Sequence, residues 1–162
     1  MENRIKGYKA FNVDLTNRYG SSFEVGKRYS VDANAVFGNH GNGFHFCKNI
    51  EDTFRYFPAI EEKISVCLVK GTGEIAIYED EYNGYYDMYS SENIEIIKQL
   101  TRDEIIEIGL NLNSLRVCRF IQCFKLNNEE IELFKEKFFD NIRVIQFINY
   151  YQLNDKEAFK KI

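Results

Sequence analysis

Histidine and cysteine are the residue types best suited to metal or nucleophilic chemistry, and the stretch "NHGNGFHFCK", Asn39 to Lys48, holds His40, His45 and Cys47 within ten residues. A zinc site built from these three needs a fourth ligand from elsewhere in the chain. Cys67, Cys118 and Cys123 do not offer one at a recognised spacing, because there is no C-x-x-C pair and no histidine at zinc-finger distance. The expectation is buried thiols and no metal. G-x-S-x-G, Walker A and G-x-G-x-x-G patterns are absent, so serine-hydrolase and phosphate-loop chemistry have no motif to stand on.

Two other constellations carry chemistry. Lys9 in "GYKAF" and His45 in "FHFC" put a cation and an imidazole on two short strand-like segments, a pair able to bind an anionic ligand if the strands are neighbours. The second is an acidic, tyrosine-rich segment containing Glu79, Asp80, Glu81, Tyr82, Tyr85, Tyr86 and Asp87. It begins like a calcium loop, but the twelfth position counted from Glu79 is Ser90, so the bidentate glutamate is missing. Carboxylates interleaved with tyrosines suit a protein interface, where tyrosine is enriched, and these seven residues are the expected partner contact.

These side chains must be positioned by the elements around them. "GYKAF" alternates apolar and polar residues as a first strand, and "SSFEVGKRYSV" reads as two short strands about a Gly26-Lys27 turn. "FHFC" alternates Phe44 and Phe46 against His45 and Cys47. "NIEDTFRYF" follows as a helix capped by Asn49, with Glu51 and Asp52 in its first turn and Pro58 closing it. "KISVCLVKG" is a β-branched, nearly continuous apolar run, the pattern of a central strand. The spacing predicts a turn at Gly71-Thr72-Gly73, a further strand "EIAIYED" and another in "NIEIIKQL". Thr101 and Glu104 stand at capping-box spacing before a helix that Gly109 and the asparagines after it end. Beyond Leu115 the chain reads as helix after helix, with Ile131, Phe134, Phe138 and Ile142 on one stripe of a long one.

At 162 residues the chain is long enough to bury one good core without staples. The expected architecture is α+β: a compact β-rich core over 1–110 and a helical extension over 111–162 packed on it, with no Pro/Gly/Ser linker between them. A net charge of −4, with Lys and Arg scattered, disfavours direct binding to a nucleic-acid backbone. No apolar run approaches bilayer length and the first residues carry no signal-like apolar region, so the expectation is a cytoplasmic protein with no membrane contact.

The ordered strings "GYKAFNVDLT", "FEVGKRY", "GFHFCKNIEDTFRYF" and "EIIKQLTRDEI" resemble a family of unknown-function domains carried by bacteriophages and their bacterial hosts, over Lys6 to Ile106. That resemblance implies a phage setting inside a bacterial host cell. The order of "GYKAF", "GNGFHFCKNIEDTFRY", "ISVCLVKG" and "SSENIEII" also resembles the ADP-ribosyltransferase fold. This second resemblance implies a site in which Lys9, His45 and Glu92 or Glu95 surround NAD, the glutamate polarising the developing oxocarbenium ion. Two functions are therefore expected. One is a small phage-associated protein, without cofactor, that binds and inhibits a host protein or ribonucleoprotein complex, such as a CRISPR effector of a defence system. The alternative is an enzyme transferring ADP-ribose from NAD to a host target. An oligomerising role for the aromatic C-terminal helices is a third reading.

Overall fold

The computed structural model describes residues 3–32, 43–55, 64–79, 87–154 and 157. The chain divides into a sheet unit, 1–57 with 63–100, and a helical unit, 58–62 with 101–162. The architecture is α+β, as the sequence leads one to expect.

In the sheet unit the strands are β1 (Arg4–Asn12), β2 (Arg28–Ser30), β3 (Phe44–Cys47), β4 (Ile64–Glu79) and β5 (Asp87–Gln99), with one short helix, α1 (Ile50–Thr53). Every pairing is antiparallel: β1 with β4, β4 with β5, β5 with β3, and β3 with β1. The pairing thus returns to its starting strand, and β2 is added along β5. The closing contact is the narrowest, a single registered pair, Tyr8 with Cys47.

β4 is one continuous strand where the sequence predicts two around a Gly71-Thr72-Gly73 turn. Those residues form an irregularity, with register shifts between Leu68 and Val69 and between Thr72 and Ile75. Gly73 takes φ +81° there, a backbone conformation open mainly to glycine. Extra residues of this kind bend a strand and raise its twist, which lets so few strands close on themselves.

The enclosed core is Phe11, Phe23, Phe46, Cys67, Val69, Tyr89, Ile94 and Ile96. Phe46 occupies space that two glycines leave open. A Cβ on Gly71 would stand 2.6 Å from the Phe46 ring, and one on Gly7 would stand 2.7 Å from it. The glycine of "GYKAF" and the second phenylalanine of "GFHFC" are therefore two halves of one packing contact. Burying such a ring stabilises the fold by about 2–3 kcal/mol.

The helical unit contains α2 (Arg102–Leu110), α3 (Ser114–Cys123), α4 (Asn128–Lys137) and α5 (Ile142–Phe147), followed by a π-helical turn, Ile148–Gln152. The capping box at Thr101 and Glu104 forms as expected. α2 ends as expected at the asparagine Asn111, its C-cap, while Gly109 lies inside the last turn; a Cβ there would meet Phe120 at 2.8 Å and Phe134 at 3.0 Å, so its bareness lets α2 approach α3 and α4. The long helix expected from Asn127 is two helices. The Asn141 side chain accepts from Val144 N at 3.1 Å and starts α5 anew, which rotates Ile142 off the buried stripe to 75% exposure. Gln152 is buried and holds the end of α3: its Nε2 donates to the Ile121 and Phe124 carbonyls at 2.5 and 2.9 Å, and its Oε1 accepts from Leu126 N at 3.0 Å.

Candidate functional site

β1 and β3 bring Lys9 and His45 together. Strand alternation sets Lys9 on the side of Gly7 and Phe11. Its Nζ donates to the His45 carbonyl at 2.6 Å and lies 5.6 Å from the centre of the Phe11 ring. The lysine thereby extends the β1–β3 contact beyond its single registered pair. Burial pulls the Lys9 amine down to about 8, and the nearby Cys47 only partly opposes this.

The His45 imidazole is pushed below its ordinary value by burial first and by the Lys9 charge second, against a hydrogen bond from its ring to the Gly43 backbone. The ring is therefore neutral near pH 7, with Nδ1 turned to Gly43. Its other nitrogen, Nε2, is buried without a hydrogen-bond partner among the described residues. Ser90, the residue registered opposite His45 on β5, is fully buried, and its Oγ also has no partner among the described residues. Ala76 stands on the far side of Ser90, on β4, and adds no polar group.

Cys47 follows His45 on the same face of β3. Burial and the Asp52 carboxylate push its thiol up to about 12, with Glu51 adding to the effect and Lys9 and Arg55 opposing it. Such a thiol is not ionised at neutral pH, and so is a poor nucleophile and a poor metal ligand. Asp52 and Glu51 are themselves buried, 1% and 2% exposed, on a helix of one turn. The Asn49 side chain does not cap that helix through its backbone but donates to Asp52 Oδ2 at 3.2 Å. Among the described residues no three His, Cys, Asp or Glu side chains are grouped closely enough to hold a metal ion; His40 lies outside them.

Neither glutamate of the expected NAD site joins this group. Glu92 turns to the β4 irregularity, where its Oε2 accepts from Glu74 N at 3.1 Å beside Gly73. Glu95 lies between Arg28 and Lys70 in the strand register, and Lys70 Nζ meets its carboxylate at 2.5 Å. That hydrogen bond and the Lys70 charge, with Arg28 behind them, hold the Glu95 carboxyl below its ordinary value. Lys9 is level with Gln99 of β5 through Cys67, four residues or about 13 Å along the strand from Glu95. The charges acting on Lys9 and His45 come from Cys47 and Lys9, and from neither glutamate. Lys9 and His45 are thus in contact with each other, while Glu92 and Glu95 are each engaged elsewhere on the sheet.

Of the expected partner contact, Glu79 and Asp87 are paired in register at the ends of β4 and β5. Asp80, Glu81, Tyr82, Tyr85 and Tyr86 lie in the connection between them, outside the described residues. Sequence reasoning missed Ser90 as a member of the His45 group. The available signal was a pair of small polar residues, Ser90 and Ser91, interrupting an otherwise bulky strand pattern.

The model of a domain of unknown function, DUF7666, matches residues 5–108, well over half of the chain. The match runs from β1 into α2, taking in Lys9, His45 and Ser90, and stops before α3. No curated protein and no solved structure matches the chain. The chain belongs to the DUF7666 family.

Proposed function

We propose that this member of the DUF7666 family is a binding protein that engages a protein partner through the acidic, tyrosine-rich connection between β4 and β5, and inhibits it. The observation that carries the reading is the pairing of β4 with β5 out to Glu79 and Asp87, which gives that connection a long, hydrogen-bonded base on both sides. Tyr82, Tyr85 and Tyr86 offer large, stiff contact area, and the carboxylates of Glu79, Asp80, Glu81 and Asp87 complement a basic surface, including one that ordinarily meets nucleic acid. The resemblance to phage-borne domains supports a bacterial host protein or ribonucleoprotein in the cytoplasm as that partner, with a CRISPR effector as one such target.

The test is co-purification from host lysate. Wild-type protein is expected to retain a host partner that the Glu79→Lys, Asp80→Lys, Glu81→Lys triple variant loses; equal retention by both overturns the reading. The alternative, ADP-ribose transfer from NAD, has the Lys9–His45 contact in its favour. It requires labelling of a lysate protein by labelled NAD that Glu92→Gln or Glu95→Gln abolishes.

A further inference from the structure

Among the described residues, two buried side-chain polar atoms have no hydrogen-bond partner, His45 Nε2 and Ser90 Oγ, and they belong to residues directly opposite one another on β3 and β5. Facing residues of an antiparallel pair hold their Cβ atoms roughly 5 Å apart with side chains on the same face. A buried hydroxyl or imidazole nitrogen left without a partner forfeits the hydrogen bond it makes to water in the unfolded chain. Two such losses at adjacent positions have a common remedy in one shared occupant. The chemistry of that occupant is constrained. The imidazole hydrogen-bonds Gly43 through its other nitrogen, so Nε2 presents a lone pair and calls for a donor. The serine hydroxyl either donates or accepts. Lys9, whose amine sits on the His45 carbonyl, makes the place unfavourable for a cation.

We propose that His45 Nε2 and Ser90 Oγ together bind one enclosed, neutral, hydroxyl-bearing ligand, which donates to the imidazole and exchanges a hydrogen bond with the serine. Water is the smallest member of the class, and a small alcohol or the hydroxyl of a larger metabolite are its other sources. The site lies inside the family-matched region, on the "GFHFC" strand. It is independent of the partner contact proposed above, and stands or falls separately from it.

The experiment is a high-resolution crystal structure of the full chain and of Ser90→Ala, with the native mass spectrum of the purified protein and the ¹⁵N spectrum of the His45 ring. Expected is density within hydrogen-bonding distance of both atoms in the wild type and its loss in Ser90→Ala. The melting temperature of the variant should fall by about 2–4 °C, the shift that one lost bridging hydrogen bond gives in a chain of this size. Single-atom density identifies water, and extended density with a matching adduct mass identifies a co-purified hydroxyl compound; both support the proposal. If Ser90→Ala does not fold, the wild-type ring decides, through an Nε2 resonance at the hydrogen-bonded acceptor position. Empty space between the atoms, a direct Ser90–His45 hydrogen bond, or a Ser90→Ala variant with unchanged melting temperature and unchanged Nε2 resonance overturns it.

Discussion

Lys9 makes the stability of the sheet unit depend on pH in a calculable way. In the unfolded chain its amine titrates near the ordinary 10.5, and in the folded chain at about 8. Between these values the unfolded chain still binds the proton that the folded chain has released, so folding is linked to proton loss and stability rises with pH. Below about 8 both states are charged and the full cost of enclosing the cation is present; above 10.5 both are neutral and that cost is gone. At 1.36 kcal/mol per pH unit the displacement amounts to about 3 kcal/mol. Part of the side chain still meets solvent, which screens it, and we take about 2 kcal/mol as the expected effect. Cysteines oppose the trend. Burial raises Cys47 to about 12 and Cys67 to about 11, and stability that both provide below their ordinary value of 9 is lost as pH climbs through those higher values. Lys9 lowers the Cys47 thiol, so its removal leaves that thiol higher still; in both proteins the folded Cys47 and Cys67 thiols stay largely protonated up to pH 10.5, and the difference between the two proteins over that range isolates the lysine. Urea unfolding at intervals from pH 7.5 to 10.5 should show wild type gaining about 2 kcal/mol on Lys9→Met across the range. A difference that stays constant with pH refutes the reasoning, because the amine would then titrate alike in both states.

Three further outcomes follow from packing and pairing. Gly71→Ala should destabilise the fold by about 1–3 kcal/mol in urea unfolding, since its Cβ would lie 2.6 Å from the Phe46 ring and 2.9 Å from Ser91 Cβ, and Phe46→Leu in the same chain should recover part of the loss. Gln152→Leu leaves the Ile121 and Phe124 carbonyls and the Leu126 N–H without their partner and should cost about 2–3 kcal/mol in thermal or urea unfolding. Burial works to raise the Glu130 carboxyl, but the Arg102 guanidinium, at 2.7 and 2.9 Å, and the Asn127 N–H outweigh it and hold the group below its ordinary 4.5. The stability Glu130 confers is present above that value and lost as pH falls through the depressed one, so the acid limb of the unfolding profile should flatten in Glu130→Gln.

What the sequence made legible was local. The strands "GYKAF" and "FHFC", the capping box at Thr101 and the buried character of "ISVCLV" each rest on neighbours within a few residues, and each is found in the structure, though burial along the first two strands does not alternate. The contact of Lys9 with His45 was anticipated as a pairing of two strands, and those strands do pair. Features that depend on distant residues were not legible. Gly71-Thr72-Gly73 has the composition of a turn, yet long pairing with β1 on one edge and β5 on the other carries β4 straight through it. Glu92 and Glu95 have the right residue type for catalysis, but Gly73 and Lys70, far off in sequence, decide where their carboxylates go. Asn141 offers a helix start that the apolar stripe from Ile131 to Ile142 conceals, because a capping side chain outweighs one more exposed apolar residue. Ser90 gains its interest only from the register that sets it opposite His45.

The binding function is tested most directly by photocrosslinking in the host. A photoreactive phenylalanine analogue is placed at Tyr82 or Tyr85 in one set of chains and at exposed Glu74 of β4 in another. Crosslinks from Tyr82 and Tyr85 to one and the same host protein, absent from Glu74 and removed by the Glu79→Lys, Asp80→Lys, Glu81→Lys variant, are the predicted result. Crosslinks from Glu74 alone, or none from the tyrosines in a folded protein, contradict it.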